Sequence, residues 1–325
     1  MFPFIVADIG GTNARFALAT GMKNDRIQIE ESRTLNGRDY PTFADALDAY
    51  TGTLKSVKAH AACIAIAGPV GEDRVSMTNL SWEFSLSEMR KRFGFEKFAA
   101  LNDFAAQAVA ASQFQDSDLV NIKSGVADPL GNKAIFGPGT GLGVAGLAYN
   151  GGAWLPIPSE GGHVNIAPAT ELECDIVKAA IAKWGHVSAE HFISGPGLVN
   201  LYNVLASVRG EQPEELEPQD VTDAALSTTA SNKSDALCRE TLNVFCSFLG
   251  SLAGNLALTY GGTGGVYMAG GVLPRFTEFL RASPFIERFS DKGVMSKYVQ
   301  DIPASLVVHE QAAFVGAAAW LLQQK

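Results

Sequence analysis

"VADIGGTNARFALA", residues 6–19, sets an Asp and two consecutive glycines inside an otherwise apolar run. Phe4-Ile5-Val6 reads as a strand, Asp8 to Asn13 as a tight turn and Ala14 to Leu18 as a second strand. A hairpin with an acidic mouth has two readings. In one, glycine supplies a positive φ and Asn13 or Asp8 bonds its own backbone. In the other, the turn is a phosphate-binding loop: bare N–H groups stay open to an anion, which needs donors at close range and no Cβ in the way.

Further along, "NKAIFGPGTGLGVAGLAYNGG", residues 132–152, repeats the strand, glycine turn, strand pattern around Gly139-Thr140-Gly141. Two half-domains facing one nucleotide produce such a recurrence. Thr12 and Thr140, each flanking a glycine, add hydroxyl donors. Asp8 suits Mg2+ held through water, because that ion keeps most of its hydration shell and takes few carboxylates. The GxxxxGK[ST] pattern is absent. "GTGLG" leads into "VAGLA", which reads as strand, so a dinucleotide site opening a helix does not fit.

The rest of the chain alternates strands and helices. "ACIAIAGPV" (62–70) is a buried strand stopped by Gly68-Pro69, which shapes a wall or hinge or simply a turn. "FAALNDFAAQAVAAS" (98–112) is a strand end running into an Ala-rich helix. Residues 211–232 are polar, acidic and weakly periodic, a surface excursion. Residues 235–260 form a long helix with small residues that admit a close neighbour, and Phe245, Leu249, Leu252 and Leu256 are its core stripe. "GGVYMAGGVLPRF" (264–276) is strand, Gly-Gly turn and helix start. "EQAAFVGAAAWLLQQ" is a final amphipathic helix.

With 325 residues, two domains are expected. The composition, 47% hydrophobic and 18% charged, is that of a globular protein, and no tract reads as long enough to span a bilayer. No basic leader precedes the first strand, which points away from export and towards the cytoplasm. Cys63, Cys174, Cys238 and Cys246 form no CxxC pair and fit a reducing compartment. A net charge of −9 with dispersed Lys and Arg argues against a nucleic-acid partner.

The ordered set "ADIGGTN", "AIAGPV", "LNDFAAQA", "GPGTGLGVAGL", "PSEGGHVNIAP", "HFISGPGLVNLY" and "GGVYMAGGVLPRF" resembles the bacterial ATP-dependent glucokinase family, within the sugar kinase, heat-shock ATPase and actin superfamily. The match is collinear over almost the whole chain. The resemblance implies an α/β protein of the two-lobed actin-like ATPase (ribonuclease H-like) fold. Its smaller α/β lobe would take residues 1–113 plus 304–325 and its larger α+β lobe 114–303, with the active site in the cleft between them. It implies MgATP and D-glucose as substrates and a homodimer. Nucleotide contacts fall on Ala7, Asp8, Ile9, Gly10, Gly11 and Thr12, on Gly139, Thr140 and Gly141, and on Gly270 and Gly271 near adenosine.

Phosphorylating a hydroxyl needs a carboxylate that accepts its proton. Asp103 is the candidate, although Asn-Asp ahead of an Ala-rich helix is also what a helix cap looks like. The resemblance maps the base onto Asp103 and a sugar hydroxyl contact onto Asn102, so one can cap while the other works. It assigns Glu160 and His163 of "PSEGGH", and Glu190, to the sugar, with the two glycines there letting ligand approach the chain. His186 and His191, which flank Glu190, are assigned no role, and His309 reads as structural. Related kinases and repressors that share "DIGGT" and "EGGH" follow their His with CxCGxxGC and zinc; here only Cys174 follows, so no zinc is expected. Three rival readings remain open: a kinase for another hexose or aminosugar, an actin-like ATPase and a dehydrogenase.

Overall fold

The computed structural model describes residues 2–54, 57–68, 70–77, 80–227 and 233–324. Pro69 of the Gly68-Pro69 stop and residues 228–232 of the polar stretch lie outside them. The chain divides into two compact units: Met1–Gln115 with Leu147–Pro158 and His309–Lys325, and Asp116–Gly146 with Ser159–Val308.

In the first unit a five-stranded sheet runs in the order 26–36, 13–23, 4–9, 61–66, 97–102. The opening hairpin is antiparallel, with Asp8 opposite Arg15 and Ile9 opposite Ala14. Strand Phe4–Ile9 is parallel to Ala61–Ile66, and that strand to Lys97–Asn102, so Ile9, Ile66 and Asn102 end at one level. The Gly10-Gly11 turn and Asn102-Asp103 therefore leave the same edge of the sheet.

Ala61–Ile66 is buried at every residue, as a strand covered on both faces must be. Helix Phe43–Thr51 meets one face, its Phe43 and Tyr50 rings lying beside Phe16. Helices Asp103–Ala110 and Ala312–Gln323 contact the sheet as well as each other. The last helix is not amphipathic as its sequence suggested: nine of its twelve residues are buried. A Cβ on Gly316 would stand 1.9 Å from Ala106 O. That close approach to its neighbour leaves the helix no polar face.

The second unit carries strands ordered 142–146, 133–138, 266–268, 304–307, 119–123. Strand Val266–Met268 is parallel to both Lys133–Pro138 and Ala304–Val307. Helix Lys233–Tyr260 anchors the core, with Phe245, Leu249, Leu252 and Leu256 in it. Cβ atoms on Gly250 and Gly254 would fall 2.3 Å from the carbonyl oxygens of Phe285 and Phe289, so small residues admit helix Phe285–Ser290.

By length and composition alone Ser234–Tyr260 could cross a membrane, contrary to the sequence expectation, but 83% of its most apolar window is buried inside the protein. The stretch read as an excursion also contains a helix, Pro218–Leu226. It is started by Pro218 and a Glu217/Asp220 capping box and seated by Val221, Thr222 and Ala225.

Candidate active site

In the first unit the hairpin turn is closed by Gly10 N–H to Asn13 O (2.9 Å) and tied to the sheet by Gly37 N–H to Thr12 O (2.8 Å). Neither Gly10 nor Gly11 has a positive φ, and the same holds for Gly139 and Gly141. Backbone conformation therefore does not require glycine at these turns, which leaves close approach as the physical reason for it.

Asp8, Gly10, Gly11, Thr12, Asn13 and Arg15 line a cavity of about 380 Å3. Ala7 and Ile9 are fully buried, so only their backbone is on offer. The sequence reading missed Arg15, which pairs with Asp8 across the hairpin and lies 5.7 Å over the Phe314 ring. The register of the two strands was its only signal.

At the neighbouring strand end the two roles proposed for Asn102-Asp103 separate. Asn102 caps the helix, its Oδ1 accepting Phe104 N–H (3.0 Å) and Ala105 N–H (3.3 Å), and its amide reaches Gly68 O (3.4 Å). Asp103 accepts Phe104 N–H through Oδ1 (2.9 Å). Burial pushes the Asp103 carboxyl up to about 6; the negative charge of Asp8 adds to this and the Phe104 hydrogen bond opposes it. An acid held partly out of water beside a second carboxylate is suited to take a proton near neutrality.

In the second unit the Gly139–Gly141 turn is closed by Gly139 N–H to Gly141 O (2.8 Å) and fastened by Gly195 N–H to Gly139 O (2.8 Å). Gly270 turns the chain after strand 266–268 at φ 92°, and a Cβ there would lie 2.4 Å from Pro138 O. Gly139, Thr140 and Gly271 share a cavity of about 310 Å3 with Gly195, Pro196 and Arg275.

Gly195 and Pro196 open helix Gly195–Arg209, whose cap is Ser194. A helix N-terminus beside a glycine turn favours anions. "SGPG" carried that signal as a cap followed by Pro; the lone Arg275 carried none.

Glu190 and His163 come together, with His163 Nδ1 3.9 Å from Glu190 Oε1, and Glu190 Oε2 accepts Leu142 N–H at 2.8 Å. Glu160 precedes the short turn Gly161–His163, its carbonyl accepting His163 N–H (3.0 Å), and its side chain is exposed. The two glycines of "EGGH" face the protein rather than a ligand: a Cβ on Gly162 would meet Leu142 O at 2.0 Å and one on Gly161 would meet Val144 at 2.8 Å.

His191 is occupied with Ser188, whose N–H donates to its Nδ1 (3.1 Å). His309 Nδ1 likewise accepts Gln311 N–H (3.1 Å). Among the described residues no three or more His, Cys, Asp or Glu side chains form a metal cluster. Asp8, the carboxylate expected to hold Mg2+ through water, is paired with Arg15 in this structure.

The glucokinase family model matches residues 5–324. A glucokinase of Saccharophagus degradans is 61% identical over 323 residues, covering 99% of both chains. One of Shigella sonnei is 43% identical over 321 residues, 98% of this chain and 97% of that protein. The crystal structure of a glucokinase from an Antarctic psychrotroph superposes with a TM-score of 0.93 at 40% identity, covering 100% of each chain. The expected two-lobed actin-like ATPase fold is therefore the one this chain adopts. Family match, relatives and shared architecture agree over the whole length: the chain belongs to the glucokinase family.

Proposed function

We infer that this chain transfers the γ-phosphoryl group of ATP to the 6-hydroxyl of D-glucose, giving glucose 6-phosphate and ADP. The observation that carries the chemical step is Asp103, a carboxylate raised to about 6 by burial while the adjacent Asn102 does the capping. Above that pH it is ionised, and it is more basic than an ordinary Asp, so it takes the hydroxyl proton as the bond to phosphorus forms.

Asn102, Glu160, His163 and Glu190 are the sugar readers. Carboxylates and an imidazole fix hydroxyls in pairs and reject an analogue that lacks one. Backbone N–H groups of the two glycine turns other than those of Gly10 and Gly139, which close the turns, hold phosphate oxygens together with the exposed hydroxyls of Thr12 and Thr140. Gly270 and Gly271 flank the adenosine.

Asp8 would hold Mg2+ through water once it lets go of Arg15. The ion, when bound, neutralises charge on the β- and γ-phosphates. ATP as substrate, four free thiols and the family resemblance support a cytoplasmic enzyme, and the resemblance alone supports a homodimer.

The test is ADP release from MgATP with glucose, mannose, fructose, N-acetylglucosamine or N-acetylmannosamine, and with no sugar. Strong stimulation by glucose alone is expected. Equal turnover without sugar would sink the reading, and preference for another sugar would move its specificity.

A further inference from the structure

The carboxylate of Glu190 points in two directions at once. Oε1 faces His163 Nδ1 at 3.9 Å, while Oε2 accepts the N–H of Leu142, the residue that ends the Gly139–Gly141 turn, at 2.8 Å.

The backbone around Glu190 is braced against the same turn. Ser194 Oγ donates to Glu190 O (2.9 Å) and accepts Gly197 N–H (2.9 Å), and Gly195 N–H donates to Gly139 O (2.8 Å). At Gly141 there is no slack, since a Cβ would lie 2.6 Å from Glu190 Oε2. The other side of the turn, Gly139 and Thr140, lines the cavity of about 310 Å3 shared with Gly271 and Arg275.

We propose that Glu190 is a positioning residue that couples the sugar to the nucleotide, with one carboxylate oxygen held by glucose and the other setting the Gly139–Gly141 turn. This rests on reading Glu190 as a sugar contact and the turn as a phosphate contact. The side chain is one-third exposed in the free protein, so its carboxylate has other orientations available. A hydroxyl bridging to Oε1 removes them and keeps Oε2 on Leu142 N–H, which holds the turn in one position. Glucose then tightens the nucleotide, and the nucleotide tightens glucose by the same factor, because coupling between binding sites is reciprocal.

The experiment measures the Kd of Mg2+ with a non-hydrolysable ATP analogue, by calorimetry, with and without saturating glucose. In the wild type glucose tightens the analogue about five-fold or more, the lower end of typical coupling. Glu190→Ala binds glucose more weakly and its coupling factor falls to about one. His163→Ala, which removes a sugar contact and leaves Leu142 N–H paired, weakens glucose but keeps the factor.

Two further variants probe the same contact from the turn. Gly141→Ala pushes the carboxylate aside and raises the Kd of glucose about ten-fold with no nucleotide present. Gly139→Ala, whose Cβ meets nothing within 4 Å, leaves it unchanged.

A wild-type factor near one overturns the proposal. So does a Glu190→Ala protein that binds glucose weakly yet keeps the wild-type factor, or equal loss of glucose affinity in the two glycine variants. Unchanged glucose affinity in Glu190→Ala instead removes Glu190 from the sugar site, and with it the reading on which the coupling rests.

Discussion

The two glycine turns look alike in sequence and each is closed and tied down by backbone hydrogen bonds, but different groups stand beside them. The first, Gly10-Gly11, stands beside charges: Asp8 and Arg15 face each other across the hairpin with Arg15 45% exposed, and Asp8 adds to the field on Asp103. The second, Gly139–Gly141, stands on hydrogen bonds to the backbone, from Gly195 N–H to Gly139 O and from Leu142 N–H to Glu190. An ion pair beside a turn answers to salt and gives way to an incoming ion, because pairs open to solvent are weak and screened. A turn fastened to backbone answers to geometry.

Neutralising the charged region at its most buried member gives the largest effect. Asp103→Asn lowers kcat by roughly two orders of magnitude or more while glucose binding stays nearly intact, as loss of a general base does; near-normal turnover in a steady-state assay would make Asp103 a second cap. The same substitution acts on stability. An Asp raised to about 6 from an ordinary 3.8 weakens the fold as pH rises through 6 and has no such effect below 3.8. Asp103→Asn is therefore more stable than wild type at pH 7.5, by on the order of 1–3 kcal/mol, and the gain vanishes near pH 3.5 in urea titrations.

The pH profile comes next in size. In the wild type kcat/KM falls about ten-fold per pH unit below about 6, because the base is then protonated; a flat profile down to pH 5 denies Asp103 that role. At the backbone-fastened turn, Glu190→Gln keeps an oxygen that can accept Leu142 N–H and loses charge towards the sugar. It raises the apparent KM for glucose about ten-fold with little change in kcat, and an unchanged KM contradicts the sugar contact. The smallest effect belongs to Arg15→Met. Stability shifts by under about 1 kcal/mol, as for most exposed ion pairs, and thermal melts at low and high salt converge on the wild type.

Local chemistry made much of the molecule legible. Runs of apolar residues broken by glycine located both hairpins, and the Ala-rich stretch after Asn102 located its helix. Whether Asn102 or Asp103 caps could not be read, since both side chains reach Phe104 N–H and only Asn102 also takes Ala105 N–H. Arg15 and Arg275 were missed because their neighbours are set by strand register and by packing between distant segments. Helix Pro218–Leu226 was missed although its Pro and capping box were present, because few apolar residues mark its inner face. The glycines of "EGGH" show a different limit: absence of a side chain is legible, but whether ligand or protein fills the space is not.

The contact of Gly316 with Ala106 has a consequence in time. The helix that begins at Asp103 is seated against one that begins at Ala312, so the carboxylate proposed as base is carried by an element that packs on a much later segment of the chain. As the chain leaves the ribosome, the opening hairpin can pair early, but the helix bearing Asp103 has only the sheet to rest on until the helix Ala312–Gln323 is made. A chain not yet made past residue 312 thus holds every residue proposed for chemistry but lacks the packing that seats the Asp103 helix.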